Sequence, residues 1–323
     1  MRIRRFHNDD PPELAAVWND AFPGRGAYPL RHPSPLERCV FSKPYYDPDG
    51  LIVADDGRSV VGFAHAGFGT NADETAIDPT RGVVCAIAVR SSYRRHGIGT
   101  ELLKEAERYL TDRGTRVLHA GPSTHCAGAP PLNPFYFGLY GGSDLSGFLL
   151  SDPAAAPFLE HHGYAAAQTT LVLQRRLDGP VTAADPRFAT LRRQYDIKLM
   201  PRASIGTWWQ ECVLGVLEPV EFRLADRLSG QAAARALIWE MEGYSARWNV
   251  PAAGVMDIQV RSDLRRQGLA KFLVTQILRK LHEEYFGIVE VQSPERNTTA
   301  TALFQSLGFE RVDTGRVYRR DVP

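Results

Sequence analysis

The run Val89-Arg90-Ser91-Ser92-Tyr93-Arg94-Arg95-His96-Gly97-Ile98-Gly99-Thr100 returns 171 residues later as Val260-Arg261-Ser262-Asp263-Leu264-Arg265-Arg266-Gln267-Gly268-Leu269-Ala270-Lys271, with six of twelve positions identical. An offset of that length is a whole domain, too long for a solenoid repeat. The flanks repeat as well. Upstream of the first copy, residues 51–56 lead through Gly57-Arg58 into 60–66, two apolar runs across a glycine turn, which reads as a β-hairpin. Residues 222–226 lead through Ser229-Gly230 into 236–241 in the same way. Each copy follows an expected strand, 83–89 or 255–260, and opens an expected helix. Leu102, Leu103, Ala106, Tyr109 and Leu110 carry the helical spacing in the first; Phe272, Leu273, Ile277, Leu278 and Leu281 carry it in the second. A further strand, 117–120 or 288–291, comes next.

The tails align too. Asp152 precedes Gly163-Tyr164, and Asn297 precedes Gly308-Phe309, by the same eleven residues, through helical stretches at 154–162 and 300–307. Between the glycines the halves differ: Gly97 to Gly163 spans 66 residues, Gly268 to Gly308 only 40. The surplus falls at 121–151, a Gly- and Pro-rich insertion with Phe135, Tyr136, Phe137, Tyr140 and Phe148. So long a loop is read either as a lid or binding segment, or as an aromatic-anchored excursion. A boundary at Asp178-Gly179-Pro180 divides the chain into 1–178 and 179–323. Short helices are expected at 11–18, capped by Asp10, and at 35–41, capped by Ser34; 188–195 and 204–213 are their second-half counterparts.

The 323 residues suit two domains, and 44% apolar with 23% charged residues excludes a wholly disordered chain. A net charge of +1 gives no general pull towards nucleic acid or anionic membrane, and the pairs Arg192-Arg193 and Arg319-Arg320 read as solvated faces. No apolar run approaches the roughly 18–20 residues of a membrane span, and residues 1–10 turn polar at once, so a cytoplasmic protein is expected. Cys39, Cys85, Cys126 and Cys212 are scattered and expected to be reduced. His125-Cys126 fits no zinc spacing, so no metal is expected.

A strand running into Arg-x-x-Gly-x-Gly/Ala and then a helix is built to hold phosphate. Glycines let the backbone approach closely, and the free amides and dipole of the helix start favour an anion. Arg94 and Arg265 would add charge-assisted hydrogen bonds. The spacing is neither that of dinucleotide folds nor that of the P-loop.

Both halves resemble the GNAT family of N-acetyltransferases, whose signature is Gln/Arg-x-x-Gly-x-Gly/Ala; Arg94–Gly99 and Arg265–Ala270 match it, and Asn297 through Phe309 resembles its closing motif. The resemblance implies two α+β domains, each a mixed, mainly antiparallel sheet flanked by helices. It implies binding of acetyl-CoA, with the pyrophosphate held by the turns Arg94, Arg95, His96, Gly97, Ile98, Gly99, Thr100 and Arg265, Arg266, Gln267, Gly268, Leu269, Ala270, Lys271. The pantetheine arm would lie along Ile87, Ala88, Val89 and Ile258, Gln259, Val260, with Asn297 beside it. Direct acetyl transfer to a primary amine of a small molecule or peptide follows as the expected activity. The alternative is a non-catalytic acyl-CoA sensor or scaffold, because the tyrosine the family often places four residues before the Gly-Phe glycine is Phe304 in one half and Leu159 in the other. Candidate acid–base groups are Tyr140, Asp257, Glu240 and His65; the acceptor and the oligomeric state stay open.

Overall fold

Two repeats of strand, helix and hairpin order build one continuous sheet in this computed structural model, which describes residues 1–124, 129–182, 185–201 and 205–322. The first half contributes β1 (Arg2–Arg5), α1 (Pro11–Ala21), α2 (Ser34–Leu36, continued by a wider turn over Glu37–Phe41), β2 (Leu51–Asp55), β3 (Val60–Thr70), β4 (Ile77–Val89), α3 (Ile98–Asp112), β5 (Val117–Ala120), β6 (Phe148–Leu149), α4 (Ala155–His161) and β7 (Ala165–Arg176). The second contributes α5 (Phe188–Gln194), β8 (Tyr195–Met200), α6 (Trp208–Leu214), β9 (Val220–Asp226), β10 (Ala232–Glu240), α7 (Glu242–Trp248), β11 (Ala252–Val260), α8 (Leu269–Glu283), β12 (Ile288–Pro294), α9 (Thr298–Ser306) and β13 (Glu310–Asp321).

Strand order is β1-β2-β3-β4-β5-β13-β7-β12-β11-β10-β9-β8, with β6 paired to β13. Both predicted hairpins form, and in each half one parallel pair (β4 with β5, β11 with β12) interrupts an antiparallel run. The closing strands are exchanged. β7, last of the first half, pairs with β12 of the second, while β13, last of the second, pairs with β5 of the first. The two meet each other between, from Glu310↔Gln174 to Arg319↔Ala165. The 178/179 boundary lies in the connection after β7, so along the strand order the ladder passes between the halves three times, at β5–β13, β13–β7 and β7–β12.

Several expectations change in detail. Asp10 stands at the start of α1 without capping it; its carboxylate receives two hydrogen bonds from Arg4 (2.8 and 2.7 Å) and one from His7 N (2.7 Å). Ser34 lies inside α2, its hydroxyl on His32. The helix at 188 is not the counterpart of α1. It precedes β8, which pairs with β9 as β1 pairs with β2, so α6 takes that place. Arg320 is no solvated face: it donates to His162 O (2.9 Å), pairs with Glu107 (2.6 Å) and lies over the Tyr164 ring.

The insertion is an inter-half packing element. Phe137 and Leu145 share a core with Trp209, Leu237, Trp239 and Tyr244 of the second half, each large side chain so buried contributing about 1.5–3 kcal/mol. Polar contacts add to this: the buried Glu290 of β12 accepts from Ser143 N (2.7 Å), Gln174 Nε2 (2.7 Å) and Arg25 Nη2 (2.9 Å). Cys39 and Cys85 are buried free thiols and Cys212 a half-buried one; Cys126, with His125, lies outside the described residues. No described helix is long and apolar enough to cross a membrane.

Candidate active site

In the first half the sheet opens where the repeated motif begins. β4 stays paired to β3 as far as Val89↔Gly62, but to β5 only as far as Val84↔Ala120. The register with β3 slips between His65↔Ala86 and Ala66↔Val84, leaving Cys85 as an extra residue that bends the strand. Beyond that bulge the β5-side edge of residues 86–89 is free of sheet pairing.

The chain then turns through Arg94 to Gly97, whose φ of +81° suits glycine, and enters α3. The first bond of the α3 ladder runs from Glu101 N to Gly97 O, so the amides of Ile98, Gly99 and Thr100 precede it and face outwards. A Cβ placed on Gly97 would meet nothing within 4 Å: the cradle is open. Arg94 does not point at it. Its Nε donates to Val89 O (3.1 Å) and its Nη2 to Ala21 O (2.9 Å), bracing the turn against the end of α1.

α4 forms the facing wall. Phe158 packs over Gly99, and His162 fixes the helix start: its Nδ1 lies 2.7 Å from Phe158 O and its Nε2 3.1 Å from Thr100 Oγ1. A carbonyl only accepts, so Nδ1 donates to Phe158 O, and Nε2 is left to pair with the Thr100 hydroxyl. That hydroxyl is thus turned away from phosphate duty, while the Thr100 amide keeps it. Between the walls lies a cavity of about 600 Å³, bounded by Ile87 and Val89 on one side and by Phe148, Asp152 and Phe158 on the other. Asp152 is held by Ala154 N (3.2 Å). Burial pushes its carboxyl up, against the weaker pull of Ala154 N and of the Arg94 charge.

The second turn has the same backbone and a different fate. Gly268 has φ +89°, α8 starts after it, and β11 leaves β12 beyond Val255↔Val291. Here the connection between the halves covers the glycine: a Cβ on Gly268 would lie 2.9 Å from Arg187 Cζ. Asp185 holds Arg187 through two bonds of 2.8 and 2.7 Å, sits 3.8 Å from Lys271 Nζ, and is kept well below the usual carboxylate range chiefly by Arg187. Phe188 on Phe272 (5.2 Å) anchors the segment. Arg265 again braces backbone, at Val260 O (3.3 Å), and Asn297 caps α9 through Ala300 N (3.1 Å).

The four candidate acid–base groups do not converge. His65 is fully buried, stacked on Phe135 (4.3 Å) with Nδ1 3.0 Å from Tyr136 Oη; burial lowers its pKa to about 3, so it is neutral. Tyr140 lies behind the cleft wall against Phe22 and Phe148, its hydroxyl accepting from Leu149 N (3.1 Å) and its pKa raised by burial. Neither lines the cleft. Asp257 sits at a bulge of β11 (φ +50°), paired with Arg235 at 2.7 Å, and Glu240 is exposed at the end of β10. Residues the motif reading passed over are Ala21, Phe22, Phe158 and His162, all on the wall; Phe148 is the aromatic of the insertion that reaches it. The equal Asp152–Gly163 and Asn297–Gly308 spacings were the available signal for α4; nothing local marked the end of α1.

Comparison with known proteins agrees with this geometry. The description "Acetyltransferase (GNAT) family" matches residues 12–136, and "FR47-like protein" matches 244–318. No curated protein matches the chain by sequence. Among solved structures it is similar to a tandem GNAT protein from the clavulanic acid biosynthesis pathway, at 17% identity and TM-score 0.67, over 100% of this chain and 99% of that one. It is also similar to a GCN5-related N-acetyltransferase from Sphaerobacter thermophilus (16%, TM-score 0.62, 99% and 95%). A third is the glucosamine N-acetyltransferase region of a fungal multi-domain GH3 beta-N-acetylglucosaminidase (15%, TM-score 0.68, 99% of this chain and 38% of that one). At these identities the likeness is one of fold.

Proposed function

Since the chain belongs to the GNAT acetyltransferase family and carries two such domains in tandem, we propose that its first half transfers an acetyl group from acetyl-CoA to a primary amine of a small molecule or peptide. The observation that carries this is the contrast between the two turns: open at Gly97 beside a deep cleft, covered by Arg187 at Gly268. The first site fits the cofactor. The amides of His96 to Thr100 would hold the pyrophosphate, and the unpaired edge at Ile87, Ala88 and Val89 would meet the amides of the pantetheine arm. Bound there, acetyl-CoA supplies an activated thioester carbonyl; the protein supplies position, exclusion of water and a path for one proton. In the second half Ile258, Gln259, Val260 and Asn297 keep the corresponding places beside a covered turn.

Titration calorimetry tests the assignment. Wild type binds one acetyl-CoA per chain in the micromolar range; Gly97→Glu weakens that at least about 100-fold, by strain at positive φ and by a carboxylate in the anion cradle, and Gly268→Glu leaves it within about threefold. Loss through Gly268→Glu alone would move the site to the second half. A panel of amines then decides activity. A chain that binds acetyl-CoA and acetylates none of them supports the sensor reading, which Leu159 and Phe304 favour because neither offers a hydroxyl.

A further inference from the structure

Amide formation from a thioester and a neutral amine moves one proton from nitrogen to sulphur, and few groups in the first-half cleft are able to carry it. The ionisable side chains among its described lining residues are Arg94, Arg95, Asp152, His161 and His162. Guanidinium groups hold their protons throughout. His162 has both ring nitrogens engaged, at Phe158 O and Thr100 Oγ1, and His161 stands edge-on against it at the phosphate end. Asp152 is the single carboxylate of that lining. It stands at the opposite end of α4, in the wall with Phe148, and shares the cavity with Ile87 and Val89 of the splayed strand.

Resting on the function proposed above, the geometry points to Asp152 as the catalytic residue that moves this proton. The amine lone pair forms the C–N bond and the C–S bond breaks with its electron pair on sulphur. The Asp152 carboxyl gives its proton to that sulphur and recovers one from the nitrogen, so the carboxyl ends as it began and no other reactant is consumed. Its surroundings suit a carboxyl that holds a proton. Burial raises it, while only Arg94 from the turn and the Ala154 amide pull the other way. Tyr140 of the insertion, behind the wall, is uncharged. Asp313 of β13 faces the neighbouring Ser151, which it binds at 2.5 Å.

Asp152→Asn is the decisive variant, because the amide oxygen still accepts from Ala154 N and only the proton is lost. With acetyl-CoA bound, infrared titration of the wild type shows one carboxyl ionising above the ordinary carboxylate range, and Asp152→Asn removes that band while acetyl-CoA affinity stays within about threefold. In the acceptor assay kcat falls about 10²-fold or more, and the loss of activity as pH rises through that ionisation disappears from the profile; Asp152→Glu recovers part of both. If Asp152→Asn fails to fold, Asp152→Ser keeps an acceptor for the turn and removes the acid. A folded Asn or Ser variant with wild-type kcat and an unchanged pH profile overturns the proposal, as does a wild-type spectrum without the displaced carboxyl. A wild type that acetylates no amine takes the proposal down with the function it rests on, whereas a working wild type matched by its Asn variant removes Asp152 alone.

Discussion

His65 shows how one residue type supports two readings that only its surroundings separate. In sequence it is a histidine on a strand beside the motif; in the structure it is a neutral ring, fully buried, with Tyr136 Oη on Nδ1 and a lowered pKa of about 3. A base that must be neutral in the fold and protonates near 6.5 when unfolded stabilises fully above about pH 6.5, and that stability drains as pH falls towards 3. Between pH 7 and 5 His65 alone removes about 2 kcal/mol. Urea unfolding at the two pH values measures it, and His65→Phe, which retains the stacking on Phe135, shrinks the difference by about that amount. The half-buried His119, lowered to about 4 by burial, adds to the wild-type slope in the same direction. Glu290 is a second test at this scale. With Glu290→Ala, Arg25 and Ser143 N lose their buried partner, and breaking such a contact costs about 3–5 kcal/mol; thermal unfolding reads it directly.

At the level of elements, most of what the sequence offered was periodic and local, and that part is what it disclosed. The motif strands, α3, α8, β5 and both hairpins were legible because an apolar stripe or an alternation names its own partner face. β13 was not. Its twelve residues include Glu310, Arg311, Asp313, Arg316, Arg319, Arg320 and Asp321, the pattern of a solvated edge, yet it runs through the middle of the sheet. Two of its charges are answered from far away in sequence, Asp313 by Ser151 and Arg320 by Glu107, and no window of sequence contains such a pair. The same holds for the candidate site: the glycine turns were readable one by one, whereas the cover over Gly268 depends on Phe188 meeting Phe272. Replacing both Asp185 and Arg187 by Ala uncovers that turn, and calorimetric stoichiometry for acetyl-CoA then rises above one per chain. A value fixed at one would mean the turn is closed by its own shape.

Across the whole molecule, the exchange of β7 and β13 ties the halves together more firmly than a linker would. A chain cut at an engineered protease site beside Gly179 remains a single particle near 35.9 kDa on size-exclusion chromatography, and it separates only under denaturant. The exchange also has a consequence during biosynthesis. β5 ends at Ala120, but the strand that covers its outer edge is not complete until Asp321. At about 5–20 residues per second, the nascent first half waits roughly 10–40 s with that edge bare, the situation in which sheets pair with the wrong neighbour. Completion of β13, rather than emergence of the first domain, is then the moment at which the cleft becomes rigid. A premature stop at residue 309 leaves every motif of the first half intact and still sends the chain to the insoluble fraction, because β5 and β7 are both left with open edges.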